Sequence, residues 1–151
     1  MRTAPKPLNK NVTKSMKGNV RKDTKPELIL RKGLRDAGYS GYRLQWKVPG
    51  RPDICYPGRK IAIFVNGCFW HRCPKCNLPV PTNNREYWES KFEANKIRDA
   101  DKISALESSG WTVMVVWECD LKKNLESQIE RIAELILSKD DEKKRGKRKK
   151  D

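Results

Sequence analysis

The chain has 151 residues, with 34 Lys/Arg against 19 Asp/Glu, a net charge of +15, five cysteines and one histidine. A single domain of this length can bury a real core, and no stretch approaches the roughly 20 apolar residues that a membrane span needs. The opening MRTAPKPLNK has no apolar secretory segment, so a cytosolic protein is expected, with cysteines reduced, buried or metal-bound.

The charge is concentrated in two arms. Residues 1–25 hold eight Lys/Arg and one acid, and residues 139–151 hold eight Lys/Arg and four acids. A modestly basic core between basic arms suits a polyanion, and nucleic acid fits best, with binding that weakens steeply in salt. Two solvated tails are the plainer alternative. The division that follows is a basic arm over 1–22, a domain over 23–138 and a basic disordered tail over 139–151.

Residues 1–22 show no sustained apolar period. DTKPELILRKGLRDAG is a helix with signals at both ends: Thr24 and Glu27 at capping-box spacing, Pro26 in the first turn and Gly38 after the last. YRLQWKV alternates Tyr42, Leu44, Trp46 and Val48 with polar neighbours, as a half-buried strand does. DICY and KIAIFV, joined by PGR, form a hairpin whose second strand lies inside the sheet. A cysteine-rich loop follows and runs into NLPVPTNN. The pattern next predicts a long helix over 84–109, with Trp88, Phe92, Ile97, Ile103 and Leu106 as core positions and Gly110 closing it. WTVMVVWEC reads as another buried strand and LESQIERIAELIL as a last amphipathic helix. The order α-β-β-β-α-β-α describes an α/β sandwich around a mixed sheet, with the last strand arriving by helical crossover.

VNGCFWHRCPKC gathers three cysteines and the only histidine into residues 65–76. Cys73 and Cys76 form a CxxC, whose two intervening residues let the backbone wrap a tetrahedral ion with Zn–S bonds of about 2.3 Å. Cys68 is a third ligand. Cys119 is the fourth if the last strand adds to the sheet beside residues 61–65. Such a site is closed, and its Zn²⁺ is structural. Unliganded thiols or a redox-active CxxC are the competing readings. Cys55, inside a strand, is a packing residue.

His71 stands between these ligands. It is either a general base preorganised by the pinned loop, a structural residue, or a zinc ligand in place of Cys119. Asp53, in GRPDI, is either a carboxylate that holds Mg²⁺ or a turn residue after proline. Glu27 either completes the helix cap or faces an active site from the first helical turn.

Together, GRPDI, AIFVNGCFWHRCPKC and EYWESKFEANKIRDADKISALESSGWTVMVVWEC strongly resemble the very short patch repair (Vsr) endonucleases, and SMKGNVRKDTKPE matches that family's N-terminal signature in spacing. The resemblance covers about residues 13–119. It implies a restriction-endonuclease-like three-layer fold with a central mixed sheet and a structural zinc site. The implied enzyme is a DNA mismatch endonuclease, dependent on Mg²⁺, that nicks one strand 5′ to the thymine of a T:G mismatch.

By the same resemblance Asp53 binds Mg²⁺, the Val65 carbonyl adds a ligand, His71 activates water and Glu27 lies in the site. Cys68, Cys73, Cys76 and Cys119 hold the zinc. Phe69, Trp70 and Trp88 match aromatics wedged into the base stack, where unstacking costs least beside a mismatch; core packing is the alternative for Trp88. Met16, Asn95 and Arg98 are further implied DNA contacts. Asn66 occupies a strand-end position where relatives often carry an acid or histidine, and it can act as neither. The implied protein is monomeric, cytoplasmic, nucleoid-associated and prokaryotic, with mismatch repair proteins or a DNA cytosine methyltransferase as possible partners. A restriction or homing endonuclease on the same catalytic core, and a non-catalytic zinc-bearing DNA-binding module, are the rival readings.

Overall fold

The computed structural model describes residues 24–150, with side chains through residue 142. The arm over 1–22, including Met16, lies outside the described residues.

Helix α1 (Lys25–Asp36) begins at the extended Thr24, carries Pro26 in its first turn and is followed by Gly38 at φ +92°. The cap differs from a box closed on backbone N–H groups: Thr24 Oγ1 donates to Glu27 Oε1 at 3.2 Å. Strand β1 is only Arg43–Leu44. The strand expected over 42–48 stops there because Gln45 enters the left-handed region at φ 47°, which ends the pleat. Leu44 and Trp46 are consequently exposed, at 42% and 39%.

The hairpin forms as expected. β2 (Ile54–Tyr56) leads through a 3₁₀ turn over Pro57–Arg59 and a left-handed Lys60 into β3 (Ile61–Asn66), antiparallel with Ile54 opposite Ile63. All six residues of β3 are buried. Helix α2 (Arg85–Ser108) then crosses over to β4 (Thr112–Trp117), which pairs parallel with β3 from Ile61↔Thr112 to Asn66↔Trp117. The sheet order is β1-β2-β3-β4, so β4 is an edge strand. That explains why only Val116 of β4 is fully buried, where a buried strand was expected.

Alternation along β3 serves two cores. Ile61, Ile63 and Val65 pack with Leu30 and Leu34 of α1, Leu121 of α3 (Glu118–Lys123) and Ile132 and Ile136 of α4 (Leu125–Lys150). Ala62 and Phe64 face Leu106 of α2. Helices therefore cover both faces of a mixed four-stranded sheet, in an α/β architecture.

On α2, Trp88, Phe92 and Leu106 are buried, but Ile97 is 53% exposed. Five residues beyond Phe92, it falls off the 3.6-residue stripe that reaches Asp99, Ile103 and Leu106. Helix α4 also runs further than its apolar pattern, through residues expected to be a disordered tail. That segment is rich in Lys and Arg and lacks proline, so the helix outlasts the stripe. No helix of the described residues is long and apolar enough to cross a membrane.

The α2 face of the sheet depends on a small apolar set. Leu106→Ala should therefore lower unfolding free energy by about 2–5 kcal/mol, read from urea denaturation.

Candidate active site and sulfur cluster

Parallel pairing of β3 and β4 brings two chain segments out at one end of the sheet. From β3 comes the loop with Cys68, Cys73 and Cys76; from β4 comes α3, with Cys119 in its first turn. The four Sγ atoms lie within 4.8 Å of one another, and Cys73 Sγ is 3.8 Å from Cys119 Sγ. Four sulfurs about 2.3 Å from a tetrahedral centre stand about 3.8 Å apart, so the set can hold a metal ion. Burial pushes the Cys73 thiol up, but the backbone N–H groups of Cys76 and Lys75 outweigh it and hold the thiol below its ordinary value. Lys75 pairs with Asp120 beside Cys119 and fastens the loop to α3. Cys55 is fully buried and apart from the cluster.

The loop is fastened to α2 as well. Arg72, left-handed at φ 55°, places its guanidinium 4.3 Å from the Phe92 ring centre and 5.8 Å from that of Phe69. It also donates to the carbonyls of Phe69 and Leu78. Phe69 meets Trp70, Trp88 and Phe92 edge-on at centroid distances of 5.2, 5.6 and 5.3 Å. Trp88, only 6% exposed, is interior to this cluster, while Phe69 and Trp70 are half-buried at its outer side. Asn95 Nδ2 donates to the Trp70 carbonyl at 3.0 Å, and the exposed Arg98 donates to Asn95 Oδ1 at 2.8 Å.

His71 is outside the sulfur set. Its Nδ1 lies 2.6 Å from Asp99 Oδ2, and both side chains are about one quarter exposed, at 27% and 25%. Asp99 was not singled out from the sequence. The available signal was its position: a carboxylate four residues after Asn95, on the same stripe as Trp88, Phe92 and Leu106, has to face something polar.

A second group surrounds Asp53. Its Oδ2 accepts the Val65 N–H at 2.7 Å, which fixes it against β3. Glu27, 2% exposed, acts on it from α1 and is bonded to Arg31 at 3.0 Å. Burial pushes the Asp53 carboxyl up to about 7; the Glu27 carboxylate adds to the rise, against the Val65 N–H and the Lys102 ammonium. Two neighbouring carboxylates, one buried and one half-buried, are an arrangement that a hard cation relieves, and Mg²⁺ needs only one or two of them with its waters. Beside them a small cleft is lined by Asn66, Lys102 and Asp99, the partner of His71.

The raised pKa sets a sign for stability. The unfolded chain ionises Asp53 near its ordinary 3.8 and the folded chain near 7, so folding loses stability as pH rises through that window. Without divalent cation, Asp53→Asn should be more stable than wild type at pH 8 by about 1–3 kcal/mol, and the gain should shrink toward zero below pH 5 in urea melts.

Relatives of known activity share this chain's sequence over most of its length. A model of the family DNA mismatch endonuclease Vsr matches residues 8–78. The type II nicking enzyme V.XorIIP of Xanthomonas oryzae pv. oryzae is 45% identical over 102 residues, covering 66% of this chain and 74% of that protein. The type II nicking enzyme V.NaeI of Lentzea aerocolonigenes is 41% identical, over 77% of this chain and 72% of its own. DNA mismatch endonuclease Vsr of Escherichia coli K12 is 36% identical, over 82% of each chain. On these matches the chain, with its aspartate-held imidazole beside a four-cysteine cluster, belongs to the Vsr family of DNA mismatch endonucleases.

Proposed function

We propose that this enzyme nicks one strand of duplex DNA 5′ to the thymine of a T:G mismatch, as a monomer in the cytoplasm. It depends on Mg²⁺ and works on a restriction-endonuclease-like scaffold whose loop is stapled by Zn²⁺. The observation that carries the reading is the 2.6 Å bond between His71 Nδ1 and Asp99, made by a histidine that stays out of the sulfur cluster beside it. An acceptor at Nδ1 fixes the tautomer: that nitrogen carries the proton and leaves the Nε2 lone pair for a water. Asp99 then steadies the imidazolium that forms.

In the proposed reaction, Nε2 of His71 takes a proton from water as the water oxygen bonds to phosphorus and the bond to the leaving sugar oxygen breaks. Asp53, with the Val65 carbonyl and Glu27 beside it, would hold Mg²⁺, which supplies charge neutralisation at the scissile phosphate. Asn66, 8% exposed, lines the cleft and can act there only by hydrogen bonding. Phe69 and Trp70 form the edge that enters the base stack, with Trp88 beneath them as support; Asn95, Arg98 and Met16 are assigned to further DNA contacts. The thiol-only donor set suits a closed zinc site, which holds the loop and leaves chemistry to His71.

Labelled T:G and matched duplexes distinguish this reading from its rivals. Single-strand cleavage confined to the mismatched duplex is expected. His71→Ala should lower its rate by about 10²–10⁴-fold, and Asp99→Asn by at least roughly tenfold, because an amide can present its N–H to Nδ1 and reverse the tautomer. Cleavage of both strands of matched DNA would point instead to a restriction or homing nuclease. Undiminished cleavage in Asp53→Ala would remove the metal role of that residue. Elemental analysis should find one zinc per chain, and Cys76→Ser should lose it and expose residues 67–84 to protease.

A further inference from the structure

The cleft between β3, β4 and α2 contains one group that the reaction above leaves unused. Of its lining residues, Phe64, Ile103 and Val115 are apolar, Asn66 is neutral and Asp99 is engaged by His71. Lys102 is the cation. It sits three residues after Asp99 on α2, is half-buried, and among the described residues forms no ion pair.

Its position is built from both sides. Gly50, in the turn that leads to Asp53, packs directly on the lysine stem: a Cβ there would stand 2.7 Å from Lys102 Cγ and 2.8 Å from its Cβ. The ammonium lies 6.0 Å from the centre of the Phe64 ring, one residue before Val65, and it acts favourably on Asp53. The turn before Asp53 and the strand behind it thus hold one lysine between them. Gln45, left-handed at φ 47°, also turns its side-chain amide toward the same carboxylate.

Asp53, Glu27 and Asp99 make this end of the sheet strongly anionic, and Arg31 is bonded to Glu27. A phosphodiester entering beside them needs positive charge that the end of β3, Phe64-Val65-Asn66, does not carry. We propose that Lys102 is a catalytic cation of the nicking reaction, its ammonium contacting a non-bridging oxygen of the scissile phosphate. This deepens the nicking reading and rests on it. No proton is transferred by Lys102. As water bonds to phosphorus, negative charge grows on the non-bridging oxygens, and a fixed ammonium stabilises that charge without reorganising. Because its stem is held by Gly50, little rotamer freedom remains to be lost when the phosphate arrives.

The test uses the full chain on a T:G duplex at saturating Mg²⁺, under single-turnover conditions. Lys102→Met should cut the nicking rate about 10²–10³-fold, with the half-saturating DNA concentration changed by less than about threefold, and Lys102→Arg should recover part of the loss. Independently, T:G duplex binding by Asp53→Ala should be compared with and without Lys102→Met over a range of salt. One lost phosphate contact makes the slope of log K against log salt shallower by about 0.9. Wild-type nicking by Lys102→Met would overturn the proposal. A defect fully cured by more Mg²⁺ would also do so, because Lys102 would then only be tuning Asp53. If the wild-type protein nicks no duplex, the nicking reading falls by itself, and an unchanged salt slope would remove the phosphate contact too.

Discussion

Parallel pairing of β3 with β4, continuous from Ile61↔Thr112 to Asn66↔Trp117, fixes where the sulfur cluster and the histidine-bearing loop sit. Parallel strands finish at the same end of a sheet, so the chain leaving Asn66 and the chain leaving Trp117 emerge side by side. One carries three cysteines and the histidine; the other reaches Cys119 after two residues. Sites of α/β proteins collect at this end because the loops there converge from separate parts of the sequence. Had β4 paired antiparallel, Cys119 would lie at the far end of the sheet, and the long loop would have no fourth sulfur.

The same end of the sheet concentrates negative charge. Asp53 and Glu27 approach each other in a buried setting, and the folded chain bears the cost of keeping Asp53 ionised. An arrangement that weakens the fold and is built from three separate elements, α1, the turn before β2 and strand β3, is ordinarily retained for chemistry. The apolar support lies close by: Phe64 and Ala62 on one face of β3, Ile63 and Val65 on the other, both rigid because both are covered by helices.

Much of this was legible in the sequence because it follows from local rules. The ends of α1, the hairpin at PGR, the crossover helix and the four-cysteine set all rest on spacing or turn chemistry, although Thr24 and Glu27 bond to each other instead of closing a capping box. The failures are tertiary. Residues 42–48 alternate as a strand does, but the left-handed turn at Gln45 ends the strand after Leu44 and takes Trp46 out of the sheet, and periodicity carries no record of one residue's φ. Ile97 is apolar yet off the stripe, and β4 reads as central although it is an edge. Asp99 and Lys102 escaped notice because charged residues on a long helix usually face solvent. Only the crossover geometry turns their side toward β3 and the loop.

Helix α2 carries two fastenings of the same loop: Asn95 holds the carbonyl of Trp70, and Asp99 holds the ring of His71. Four helical residues separate them, about 6 Å along a stiff rod. The Trp70 backbone and the His71 ring are therefore tied to one rod, and on the proposed reading a base pair that displaced Trp70 would also bear on the imidazole.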